Sequence, residues 1–170
     1  MKKLIAALLC TLLAPAYPLS AAEDTSLYFL RHAEVDDDGT GDPALSKSGE
    51  ERARTIAALF AGNNVTHIFS TPLRRTIETA QPTAQDHGLT IEEYSGRDLQ
   101  AFAEALGELQ GTILVVGHSN TTPAMVNLLT GENFEALDER VYDRVYVVTV
   151  DSEGKTELEI NHTEPRTPLH

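Results

Sequence analysis

Leu27-Tyr28-Phe29-Leu30 runs directly into Arg31-His32-Ala33-Glu34, and Ile113-Leu114-Val115-Val116 runs into Gly117-His118-Ser119-Asn120. Each is an unbroken apolar run that stops abruptly at a histidine motif. Short apolar runs without alternation mark strands buried on both faces. A third segment repeats the arrangement: His67-Ile68-Phe69 leads into Ser70-Thr71-Pro72-Leu73-Arg74-Arg75. Helical patterns separate these strands. Ser48 and Glu51 suggest a capping box ahead of an apolar stripe at Ala53, Ile56, Ala57 and Phe60. Pro72 suits a first helical residue, and that helix runs to about His87, with Gly88 past its end and Pro82 expected to kink or interrupt it. Leu89-Thr90-Ile91 reads as a weak strand, and residues 98–109 and 122–129 read as helices. Val145–Val150 and Leu158–Ile160 add two strands. The alternation predicts an α/β fold, a three-layer α/β/α sandwich with a mainly parallel central sheet.

The chain has 170 residues, of which 26 are Asp or Glu and 13 are Lys or Arg. Lys2 and Lys3, the apolar residues 4–14, and Ser20-Ala21-Ala22 have the order of a cleavable export signal. The expectation is a signal peptide over residues 1–22, a single domain over 23–170, and an exported, periplasmic location without stable membrane insertion. Loss of Lys2 and Lys3 takes the formal charge from -13 to -15. Such an acidic chain is not expected to bind nucleic acid. Cys10, the single cysteine, lies inside the signal. Residues 23–170 therefore hold no disulfide, cysteine nucleophile or thiolate-bound metal.

In an open α/β sheet, ligands bind outside the carboxyl ends of the strands. The three strand-to-motif junctions therefore gather His32, His118, Arg31 and the Arg74-Arg75 pair at one rim. Guanidinium donors match phosphate oxygens in fork geometry, so the expected partner is a small phosphorylated compound. No metal or other cofactor is expected, because fixed cations already neutralise the oxygens. The remaining histidines, His67, His87, His162 and His170, belong to no motif. Asp36-Asp37-Asp38-Gly39 only faintly resembles a calcium loop, since position 12 is Lys47 and not Glu.

Arg31-His32-Ala33 with Glu34 resembles the RHG/RHA signature of the histidine phosphatase superfamily, also called phosphoglycerate mutase-like. Leu45-Ser46-Lys47-Ser48-Gly49 is similar to its L-[ST]-x-x-G segment. Ser70-Thr71-Pro72-Leu73-Arg74-Arg75 through Ala80 is similar to S-S-P-L-x-R-A-x-x-T-A, and Gly117-His118-Ser119-Asn120 to G-H-x-N. The resemblance implies a phosphatase acting through a phosphohistidine on His32. His118 would contact the transferring group from the opposite side. Arg31, Arg75 and Asn120 would make up the phosphate-binding set, with the arginines on the phosphate oxygens and Asn120 orienting or supporting the His118 loop. A proton donor to the leaving oxygen is left open among Glu34, Glu92, Glu93 and Asp98.

Two rival readings use the same residues. One is a phosphate-binding or phospholigand-binding protein with degenerate activity. The other is a serine hydrolase in which Val116-Gly117-His118-Ser119-Asn120-Thr121 is a nucleophile elbow. That elbow asks for glycine where Thr121 stands, and a triad histidine would have to be His162 or His170.

Overall fold

A computed structural model describes residues 24–167. The expected export signal, Cys10 and His170 lie outside the described residues. The elements run β1 (Thr25–Arg31), α1 (Lys47–Leu59), β2 (Val65–Ser70), α2 (Arg74–His87), β3 (Glu92–Glu93), α3 (Leu99–Gly107), β4 (Thr112–Gly117), α4 (Thr121–Thr130), β5 (Arg144–Val150) and β6 (Thr156–His162). The sheet order is β3-β2-β4-β1-β5-β6. β4 therefore enters between β2 and β1, so the two histidine motifs leave adjacent strands.

Successive strand residues face opposite sides, and the core divides accordingly. Leu27, Phe29, Ile113, Val115, Tyr146 and Val148 pack with Phe102 and Leu106 of α3 and Met125 of α4. Leu30, Leu114, Val116, Val145 and Val147 pack with Ile56 of α1 and Ala80 and Ala84 of α2. Helices thus cover both faces, as the uninterrupted apolar runs require.

The sheet is mixed where a mainly parallel one was expected. β3, β2, β4 and β1 are parallel, but β5 runs antiparallel to β1 and β6 antiparallel to β5. The reason lies after α4. Residues 131–143 return to the rim where β1 ends, so β5 has to run back down the sheet. Leu30 consequently pairs with Val145, and Thr25 with Val150.

Four local expectations shift. Ser46, not Ser48, caps α1, with its hydroxyl accepting from the Gly49 amide. The first turn sits against the Glu34 backbone, where a Cβ on Gly49 would fall 2.0 Å from the Glu34 carbonyl oxygen. That close approach draws the helix start towards the loop. α2 begins at Arg74, two residues after Pro72, because its first amide is capped by the distant Asp42 carboxylate at 2.9 Å. It continues through Pro82 to a left-handed Gly88 cap. β3 is displaced to Glu92–Glu93, because Leu89 and Ile91 pack into the core under α2.

Glu34 and Arg52 make the main polar tie inside this frame. Arg52 Nη2 and Nε reach the Glu34 carboxylate at 2.7–3.0 Å, while Nη1 donates to Thr163. Arg52 is almost wholly buried. Arg52→Ala would strand the carboxylate beside apolar packing and unfasten the C-terminal segment. We expect a loss of about 3 kcal/mol in stability, measured by urea unfolding.

Candidate active site

His32 follows directly from β1. Its amide donates to the Gly117 carbonyl at 2.9 Å, and the next amide, of Ala33, donates to the Thr79 hydroxyl at 2.9 Å. The backbone is thereby tied to β4 and to α2. The His32 ring is buried, with Nδ1 2.8 Å from the Ala33 carbonyl. A carbonyl only accepts, so Nδ1 carries the proton and Nε2 keeps its lone pair.

His118 enters from the end of β4, with its ring centroid 5.6 Å from that of His32 and the planes at 66°. Gly117 makes the entry possible. A Cβ there would come within 3.0 Å of the Tyr94, Thr121 and Thr122 hydroxyls. The Thr121 hydroxyl accepts the His118 amide, and Thr122 donates to the Leu30 carbonyl. The start of α4 is thus pinned to both histidine strands.

His118 Nε2 lies 2.9 Å from the Thr71 hydroxyl. Thr76, 3.0 Å from the same hydroxyl, has two carbonyl acceptors of its own, on Thr71 and Leu73. Its hydrogen is used there. Thr71 is then the donor in its contact with Thr76, and its oxygen is left to accept from His118 Nε2.

Both rings are held neutral far below the usual histidine range. Burial is the main cause for each and brings each to about 4; for His32 the Arg31 and Arg75 charges act in the same direction against the Ala33 hydrogen bond. For His118, Arg75 and Arg31 add to burial, while Asp42 and Glu139 oppose them. The unfolded chain takes up these protons first as pH falls below 6.5. The associated stability is complete above that value and is lost as pH falls towards 4.

Each expected arginine carries an anion. Arg31 is buried and donates through Nη1 to the Glu139 carbonyl at 2.8 Å, with the Asp138 and Val141 carbonyls at 3.4 and 3.3 Å. Nη2 meets the Glu139 carboxylate, and the Tyr142 ring lies 4.2 Å from the guanidinium carbon. Arg31 Nε is buried with no hydrogen-bond partner among the described residues. Arg75, 18% exposed, reaches Asp42 at 3.3 Å. Arg74 points outward to Glu78.

Asn120 caps α4 through its side chain, accepting from the Thr121 amide. It also borders a cleft of about 700 Å3 shared with Thr71, Arg75, Glu93, Arg97 and His118. Of the possible proton donors, only Glu93 lines that cleft. Glu34 is committed to Arg52, Glu92 faces His67 at 3.1 Å, and Asp98 caps α3. Ser119 donates to Glu139 and makes no hydrogen bond to a histidine among the described residues, and His162 is bound to Asp143. Among the described residues no group of three or more His, Cys, Asp or Glu side chains is placed to hold a metal ion.

Sequence reading passed over Thr71, Asp42, Glu139 and Tyr142. Thr71 lay inside a quoted motif and could have been weighed as a partner for His118. The other three stand in loops with no pattern, and only the chain's return to the rim brings them in.

A family model described as histidine phosphatase superfamily (branch 1) matches residues 27–97. Over that stretch, which holds the β1 and α2 motifs, the chain is similar to the histidine phosphatase superfamily. No curated protein matches it in sequence. Solved structures in the same fold include the protein histidine phosphatase SixA complexed with tungstate, 18% identical with a TM-score of 0.64, covering 81% of this chain and 97% of that one. A mycobacterial glucosyl-3-phosphoglycerate phosphatase is 15% identical with a TM-score of 0.62, covering 81% and 98%. A phosphoserine phosphatase from Entamoeba histolytica, solved with 3-phosphoglyceric acid, is 16% identical with a TM-score of 0.60, covering 82% and 98%. At these identities the likeness is one of fold. His32 and Arg75 fall inside the stretch matched to the superfamily; His118 lies beyond it and joins them through the pairing of β4 with β1.

Thr71→Val removes the hydroxyl beside His118 with little change of volume. We expect turnover of a model phosphomonoester to fall on the order of tenfold, with the melting temperature nearly unchanged. Thr71→Ser should restore most of the rate, and steady-state kinetics on the three proteins checks this.

Proposed function

We propose that the protein is a member of the histidine phosphatase superfamily and a phosphatase that hydrolyses a phosphomonoester through a phosphohistidine on His32. The observation that carries the reading is the opposed, neutral His32–His118 pair between two arginines. His32 Nε2 attacks phosphorus as the ester oxygen leaves. Arg75 donates to the phosphoryl oxygens, where charge develops, and His118 contacts them from the side opposite His32. The buried Arg31 Nε, which has no acceptor among the described residues, is supplied with one by the same group. Glu93 protonates the leaving oxygen, then takes a proton from the water that cleaves the N–P bond. The ring of His32 needs no deprotonation near neutral pH, because burial already keeps Nε2 free.

The same proposal places the enzyme outside the cytoplasm. Its support is the basic, apolar and small-residue order of residues 1–22.

The test is hydrolysis of p-nitrophenyl phosphate with a chelator present. Wild type should turn over, His32→Ala should be inactive, and Ser119→Ala should keep most of its activity. Glu93→Gln should lose about 10²–10⁴ in rate on an alkyl phosphate, and much less on the nitrophenyl ester, whose leaving group needs no proton. Activity retained by His32→Ala but lost by Ser119→Ala would establish the serine-hydrolase reading. Binding of vanadate without turnover of any phosphoester would establish the binding-protein reading.

The pH profile gives an independent check. A histidine held neutral to about pH 4 keeps kcat/KM high through pH 5, with the acid limb near 4. An acid limb near 6.5, the ordinary histidine value, would show that burial does not govern the nucleophile.

A further inference from the structure

The described residues include eleven Lys and Arg side chains, and seven lie within 4.0 Å of a carboxylate. In a chain with twice as many acidic as basic residues, pairing is the expected fate of a cation. Lys47, Arg54, Arg97 and Arg144 have no such partner among the described residues. Of these four, Arg97 alone lines the cleft that opens onto His118 and Arg75. Glu93 lines the same cleft, yet the two form no ion pair. The neighbouring Asp98 is turned away to cap α3, where its carboxylate accepts from the Ala101 amide.

The cleft also has more room than a phosphoryl group fills. Its volume is about 700 Å3, and the part beyond His118 has to receive the alcohol portion of the ester. Ser95, Asn120 and Thr121 share the cleft wall with Arg97, alongside the less polar Pro72, Leu73 and Tyr94. Hydroxyl and amide groups suit a hydroxylated alcohol, and an unpaired guanidinium suits an anion held in fork geometry.

We propose that Arg97 forms a second anion subsite, so that the substrate is a phosphomonoester of a hydroxylated alcohol bearing another carboxylate or phosphate. This rests on the phosphoryl site proposed above. Arg75 and the histidines take the reacting phosphoryl group, and Arg97 takes the second anion from the cleft wall.

Calorimetric binding to the His32→Ala protein tests this with paired probes. Glycerol 3-phosphate and 3-phosphoglycerate differ by a hydroxymethyl group against a carboxylate. Fructose 6-phosphate and fructose 1,6-bisphosphate differ by a hydroxyl against a second phosphate. At least one doubly anionic probe should bind about tenfold more tightly than its partner. Adding Arg97→Ala should erase that gain and leave the singly phosphorylated partner unchanged. Adding Arg97→Glu should make the doubly anionic probe the weaker of the pair. Which pair responds distinguishes carboxylate from phosphate. Equal binding within both pairs, or a gain that survives Arg97→Ala, overturns the subsite while binding of the single phosphates upholds the phosphoryl site. Failure of all four probes and of vanadate to bind would overturn both readings.

Discussion

The His32 amide donates to the Gly117 carbonyl one rung past the last paired residues of β1 and β4, Arg31 and Gly117. Everything at the site depends on that parallel register. A slip by one residue would turn every side chain of a strand to the other face. His32 and His118 would then no longer face each other, and Gly117 would no longer lie under three hydroxyls. The apolar packing on both faces makes such a slip costly. Ile113 and Val115 belong to one core and Leu114 and Val116 to the other. The register that buries those residues is also the one that sets the histidine pair.

A second constraint is electrostatic. The chain is strongly acidic, yet its site needs neutral histidines beside cations. Burial accomplishes most of this, with Arg31 and Arg75 adding to it. The arginines are in turn held by carboxylates. Glu139 is kept ionised, chiefly by the Ser119 hydroxyl and then by the Arg31 charge. Asp42 does more than face Arg75, since it also caps α2. An arriving phosphoryl group therefore meets guanidinium groups already oriented by acids, at the cost of competing with them.

The polar threonines connect these two constraints. Thr71, Thr76, Thr79, Thr121 and Thr122 are all buried at the carboxyl rim. Each spends its hydroxyl on a backbone group or on His118. Short β-branched side chains have few rotamers to lose, so a rim built from them orients the histidines with little flexibility.

The apolar runs at Leu27–Leu30 and Ile113–Val116, each ending in a histidine motif, were enough to determine a helix-covered sheet and a site at its carboxyl edge. Local spacing carries that information because burial on both faces leaves a continuous apolar run. The same residues could not show that Glu34 belongs to Arg52, that Glu93 faces the cleft, or that Asp42 caps a helix 32 residues away. Nor could they show that residues 131–143 climb back to the rim, bringing Glu139 and Tyr142 to Arg31 and reversing β5. These outcomes depend on distances between segments remote in the chain. A carboxylate has the same local signature whether it meets a proton, an arginine or solvent, and only the packed fold decides which.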